Sequence, residues 1–109
     1  MRMRVIGSAA AVLLMGLVAG TIAAQDDDGL RARGKQLFVD QGCYGCHTIG
    51  KFGTPIAPDL SHAGSKYTVG ALTRWLQDPL AQKPTAHMPK IAMSRAESEA
   101  LAAYLGSLR

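Results

Sequence analysis

Cys43, Cys46 and His47 stand in the order C-x-x-C-H within the stretch GCYGCHTIG, and they are the residues of this chain best suited to chemistry. Two cysteines at this spacing have three chemical uses: a redox-active disulfide, half of a zinc site, or covalent attachment of a haem. The histidine directly after Cys46 favours the third. Two intervening residues make one turn, so both thiols can reach the vinyl groups of one porphyrin. The next side chain, His47, then points under the ring toward the iron. Gly42 and Gly45 carry no side chain that would obstruct the approach of the macrocycle. A redox disulfide belongs on a strand-to-helix turn of a βαβ unit, and no convincing strand is legible in this sequence. Zinc would have to recruit His62 or His87 at spacings unlike those of zinc fingers.

The elements that must position these groups are few. The chain has 109 residues, and its first part reads as an export signal. Arg2 and Arg4 precede an uncharged run from Val5 to Ala24, which ends in small residues before Gln25 and three aspartates. We expect residues 1–24 to be a cleaved signal peptide. The alternative is an uncleaved anchor, since the run is just long enough to span a bilayer. No cysteine follows it to carry a lipid. Either way residues 25–109 form one exported domain, in the periplasm or on the outer face of the cytoplasmic membrane. Loss of Arg2 and Arg4 halves the formal charge of +4, too little to argue for a nucleic-acid partner. A domain this small buries a modest core and usually needs a disulfide, a metal or a cofactor.

Hydrophobic spacing predicts three helices in an all-α fold. The first covers about Asp28 to Asp40, capped by the aspartates, with Leu30, Gly34, Leu37 and Phe38 on one face. Gly34 lowers helix propensity there, which suggests the close approach of another helix. Residues 50–67 hold five Gly and Pro positions and cannot form a regular helix. The second helix spans Val69 to Gln77 with Thr68 as its cap, Leu72, Trp75 and Leu76 as its stripe, and Pro79 as its stop. The segment LAQKPTAHMPK is a loop. Ser94 and Glu97 then form a capping box for a last helix bearing Leu101, Tyr104, Leu105 and Leu108.

CYGCH, APDL, WLQDP, KPTAHMP and LAAYLGSL, in that order, make the chain resemble the class I monohaem cytochromes c. The likeness is to the small bacterial kind and the cytochrome domains of respiratory oxidases. It covers nearly all of residues 25–109. It implies about three helices and long loops wrapped around one covalent haem c, with Cys43 and Cys46 as attachment points and His47 as an axial iron ligand. It also implies an axial methionine from a C-terminal loop. Met88 lies where that ligand falls, with Met93 and His87 as alternatives. Pro58 matches the residue whose carbonyl receives the histidine's second N–H, although Ala57 stands where glycine is common. Leu60 is expected to pack on the His47 side of the ring. Tyr67 and Trp75 are candidates either for hydrogen bonds to the haem propionates or for plain packing. Gly34 and Tyr104 match the contact between first and last helices, with Phe38 and Leu105 beside it. His62 reads as a solvated loop residue. Lys35, Lys51, Lys66, Lys83 and Lys90 either ring the exposed haem edge or are scattered surface charge.

The implied function is one-electron transfer, not enzymatic turnover. Donors would be a quinol-oxidising complex or a dehydrogenase, and acceptors a terminal oxidase or reductase. The alternatives are a tightly bound subunit of an oxidase, dehydrogenase or sulfur-oxidising enzyme, and an open-site haem protein that binds gas or reduces peroxide. The early position of the C-x-x-C-H motif does not suit the four-helix-bundle cytochromes.

Overall fold

A computed structural model describes residues 19–109, with side chains from residue 27 onward. Most of the expected leader therefore lies outside the described residues, and among these no helix is long and apolar enough to cross a membrane. Helix α1 covers Ala19–Asp40, followed by a 3-10 turn at Cys43–Gly45. A hairpin of two very short strands comes next, β1 at Thr48–Ile49 and β2 at Phe52–Gly53. Four helices follow: α2 Ala63–Lys66, α3 Val69–Gln77, α4 Pro79–Gln82 and α5 Arg95–Gly106. The fold is the expected all-α class, with long loops between its main helices.

The expected caps of α3 and α5 are present. Thr68 Oγ1 accepts from the N–H of Ala71 at 3.1 Å, satisfying one of the open donors at the start of α3. At α5 the box is reciprocal: Ser94 Oγ accepts from Glu97 N at 3.1 Å, and Glu97 Oε1 accepts from Ser94 N at 2.9 Å. Pro79 does stop α3, but it also opens α4, with Asp78 as cap. Proline at the first position of a helix forfeits only an N–H that has no helical partner anyway.

The start of α1 differs from expectation. The helix begins at Ala19, so Asp26, Asp27 and Asp28 lie within it rather than capping it. Ala19, Ala23 and Ala24 are strong helix formers, and Asp28 pairs with Arg31 one turn on, so nothing in this stretch breaks the helix. Leu30, one turn before Gly34 on the expected face, is 41% exposed. The contact with α5 is tightest at Gly34, where an added Cβ would overlap the Ala100 carbonyl oxygen and sit 2.6 Å from Tyr104 Cβ. Leu37 and Phe38 are buried beyond it.

Helix α5 is the centre of the core. Ala100, Leu101, Ala102 and Leu105 are buried, packed with Leu37 and Phe38 of α1, Ala63 of α2, and Leu72 and Leu76 of α3. Tyr104 is half-buried at the α1 contact, its ring meeting that of Phe38 edge-on at 6.4 Å. Leu108 lies past the end of α5 but still packs on the core. Neither the hairpin at residues 48–53 nor the single turn of α2 was expected. β1 and β2 pair Thr48 with Gly53 and Ile49 with Phe52, too short a run for a two-residue period to show in sequence.

Candidate functional site

The cysteine motif is bound to its surroundings mainly by backbone. The Cys43 carbonyl accepts from the N–H groups of Cys46 at 3.2 Å and His47 at 3.0 Å, which closes the turn. The Cys46 carbonyl accepts from Ile56 at 3.1 Å and Ala57 at 2.7 Å, and Tyr44 O accepts from Thr54 at 3.0 Å. The loop leading to Pro58 is thus fastened directly onto the motif. Gly53 closes the other side: its φ of 110° suits glycine, and a Cβ there would overlap the His47 carbonyl oxygen. Cys43 is half-buried and Cys46 exposed. Burial pushes the Cys43 thiol above its ordinary pKa, so it stays protonated at neutral pH.

His47 is half-buried, and its Nδ1 lies 2.7 Å from the Pro58 carbonyl oxygen. A carbonyl can only accept, so the ring carries its proton on Nδ1 and leaves Nε2 with a lone pair for a metal. Leu60 and Met88 are half-buried against the core, and so is Met93. His87 is exposed. The Trp75 Nε1–H donates to Met88 Sδ at 3.2 Å. Tyr67 is 56% exposed and among the described residues makes no side-chain hydrogen bond, although its backbone N–H closes α2 on Ala63 O at 2.9 Å. His62 is exposed and precedes α2. All five expected lysines are exposed, and among the described residues none forms an ion pair.

The donor set fits a haem with two protein ligands. It offers two thiols for thioether bonds, an imidazole with Nε2 available, and a soft thioether on a separate loop. It does not fit zinc: among the described residues no three His, Cys, Asp or Glu side chains converge. Sequence reading missed the Trp75–Met88 bond and a carboxylate beside the motif, Asp59, which accepts from the hydroxyls of Thr48 at 2.8 Å and Ser61 at 2.9 Å. The only sequence signal for the first is that both residues fall in segments that resemble the same family.

Comparison with known proteins points to the same cofactor. The family model for cytochrome c matches residues 31–109. The chain is also 34% identical over 89 residues to cytochrome c oxidase subunit 2 of Alkalihalophilus pseudofirmus. That match covers 73% of this chain but 26% of the relative, so the chain spans about a quarter of that protein's length. With the helical fold and the C-x-x-C-H turn, the match over residues 31–109 places the chain in the cytochrome c family, whose members transfer electrons through covalently attached haem c.

Proposed function

We propose that the chain is a one-electron carrier in which Cys43 and Cys46 would hold haem c by thioether bonds, and His47 Nε2 and Met88 Sδ would ligate its iron. When bound, haem c supplies the Fe(III)/Fe(II) couple. The protein's own groups decide where that couple sits and what reaches it. Donation from His47 Nδ1 to the Pro58 carbonyl fixes the ring plane and raises the basicity of Nε2. The Met88 thioether is soft and favours the reduced metal, which raises the potential. With His47 and Met88 both as ligands, the protein itself would take the positions that oxygen or peroxide would need.

The observation that supports this reading most directly is the bond from Trp75 to Met88. A thioether sulfur has two lone pairs. With one accepting the indole N–H, the side chain is held in place and the other pair remains for a metal. Met93 has no such partner among the described residues and directly precedes the α5 cap, where it packs on the core.

Carbon monoxide tests the assignment. It should leave the visible spectrum of the reduced native protein and of Met88's control variant Met93→Ala unchanged, and bind reduced Met88→Ala. Binding to the native protein, or damage from Met93→Ala in place of Met88→Ala, would sink it.

A second reading, a cytochrome bound permanently to an oxidase, draws on the relative's identity as an oxidase subunit. For either reading we place the domain in the periplasm or on the outer face of the cytoplasmic membrane. Its exposed lysines would steer acidic redox partners, a quinol-oxidising complex or dehydrogenase on one side and a terminal oxidase or reductase on the other. Extraction of native membranes separates the two: a carrier elutes alone at its monomer size, whereas a subunit co-purifies with its enzyme.

A further inference from the structure

Two chain segments meet beside His47, and one exposed carboxylate takes part in the hydrogen bonds that join them. Asp59 Oδ1 accepts from Thr48 Oγ1 at 2.8 Å and from Ser61 Oγ at 2.9 Å. The Ser61 oxygen accepts in turn from the Gly50 N–H at 2.7 Å, and the Leu60 N–H donates to the Thr48 carbonyl at 2.8 Å. Thr48 directly follows His47, and Asp59 directly follows Pro58. The network is therefore the neighbouring rung to the His47–Pro58 hydrogen bond and spans the same junction. Sliding one segment past the other would stretch the three bonds that cross between them, Thr48–Asp59, Gly50–Ser61 and Leu60–Thr48, together. Gly53, pressed on the His47 carbonyl, limits movement from the hairpin side.

Charge makes Asp59 suited to the role. The hydroxyls of Thr48 and Ser61 hold its carboxyl below the ordinary carboxylate pKa, so it is ionised at neutral pH. Hydrogen bonds to an ionised acceptor are roughly twice as strong as neutral ones. In water a single one would contribute little, but these act in parallel at one place.

We propose that Asp59 is a positioning residue for the iron's histidine ligand: by tying Thr48 to Ser61 it keeps the Pro58 carbonyl at the His47 ring and so sets the strength of that hydrogen bond. This rests on His47 being the axial ligand, as proposed above. A stronger N–H···O bond makes the imidazole a better donor and stabilises the oxidised metal. A looser one therefore raises the reduction potential and lets solvent reach the ring proton.

The test uses the haem-loaded protein and three variants: Asp59→Ala, Thr48→Val and Asp59→Asn. Two quantities are read: the reduction potential, and the exchange rate of the His47 Nδ1 proton by NMR of the reduced, diamagnetic state. Asp59→Ala and the isosteric Thr48→Val should each raise the potential and speed exchange several-fold. Asp59→Asn keeps an oxygen acceptor, so its exchange stays near native while its potential reports the lost charge alone. Unchanged exchange in both Asp59→Ala and Thr48→Val overturns the proposal. So does acceleration by Asp59→Asn equal to that of Asp59→Ala, which would mean that charge and not the tie is at work. If the native protein shows no ring-current-shifted His47 signal, the ligand assignment fails and the positioning role with it. A shifted signal indifferent to the variants overturns the positioning role alone.

Discussion

The indole Nε1–H of Trp75 donates to the sulfur of Met88 at 3.2 Å, joining a residue of α3 to the loop between α4 and α5. Withdrawing density through this bond makes the sulfur a weaker donor to a metal. That disfavours the oxidised state relative to the reduced one. Trp75→Phe keeps most of the packing and removes the donor. We expect a lower reduction potential, by about 1 kcal/mol for a hydrogen bond of ordinary strength, which is on the order of 40 mV for one electron. Redox titration of the variant checks this. A rise in potential would mean that the indole acts on the site by some other route.

Gly34 should be the most sensitive position of α1. A methyl group there meets the backbone of Ala100 and Tyr104 Cβ, neither of which can rotate away. Gly34→Ala should destabilise by about 1–3 kcal/mol or more, as overpacking does. Gly29 is the internal control, exposed in the same helix with nothing near its Cβ position. Gly29→Ala should stabilise by up to about 1 kcal/mol through helix propensity. Urea unfolding of the pair measures both, and a neutral Gly34→Ala would contradict the close approach of α1 and α5.

How these positions looked in the sequence depends on the range of the forces involved. Thr68, Ser94 and Glu97 cap their helices through neighbours three residues away, so α3 and α5 were legible to their first residues. Gly34 was legible because an apolar stripe with a glycine in it has few explanations. Leu30 continued the same stripe, yet whether a stripe is covered depends on how the partner helix runs past it, which no local pattern records. The C-x-x-C-H turn announced its chemistry. The Pro58 carbonyl was found only through resemblance, since no side chain marks a carbonyl's direction. The bond from Trp75 to Met88 and the tie at Asp59 join segments whose separation in sequence carries no period, and both needed coordinates.

Ser98 is a case where the fold keeps a group it does not use. Its side chain is fully buried on α5, and Oγ has no hydrogen-bond partner among the described residues. An unmet buried hydroxyl costs about 1–3 kcal/mol, and alanine is the better helix former. Ser98→Ala should therefore be neutral or stabilising, by about 1 kcal/mol. Leu101→Ala, one turn on in the same core, should cost about 2–5 kcal/mol. Thermal unfolding distinguishes them. A marked loss of stability from Ser98→Ala would show that the hydroxyl has a partner after all.

Glu97 sets a pH dependence whose sign follows from its partners. Its carboxylate accepts the Ser94 N–H, and Arg33 of α1 lies 3.2 Å from Oε2, so its pKa falls below the ordinary glutamate value. In the unfolded chain that value is about 4.3. Between the two values the unfolded state binds more protons, so stability rises with pH. The contribution is complete above the unfolded pKa and is lost as pH falls through the folded one. Glu97→Gln retains an oxygen for the cap but cannot titrate, so its stability should vary less with pH below about 5 than that of the native protein. Asp59 is shifted in the same direction, held by Thr48 and Ser61, so some acid dependence survives in Glu97→Gln. Combining Glu97→Gln with Asp59→Asn should flatten the acid limb further. Denaturant midpoints measured across pH 3–7 decide this, and acid limbs that coincide in all three proteins would rule out both carboxylates as its source.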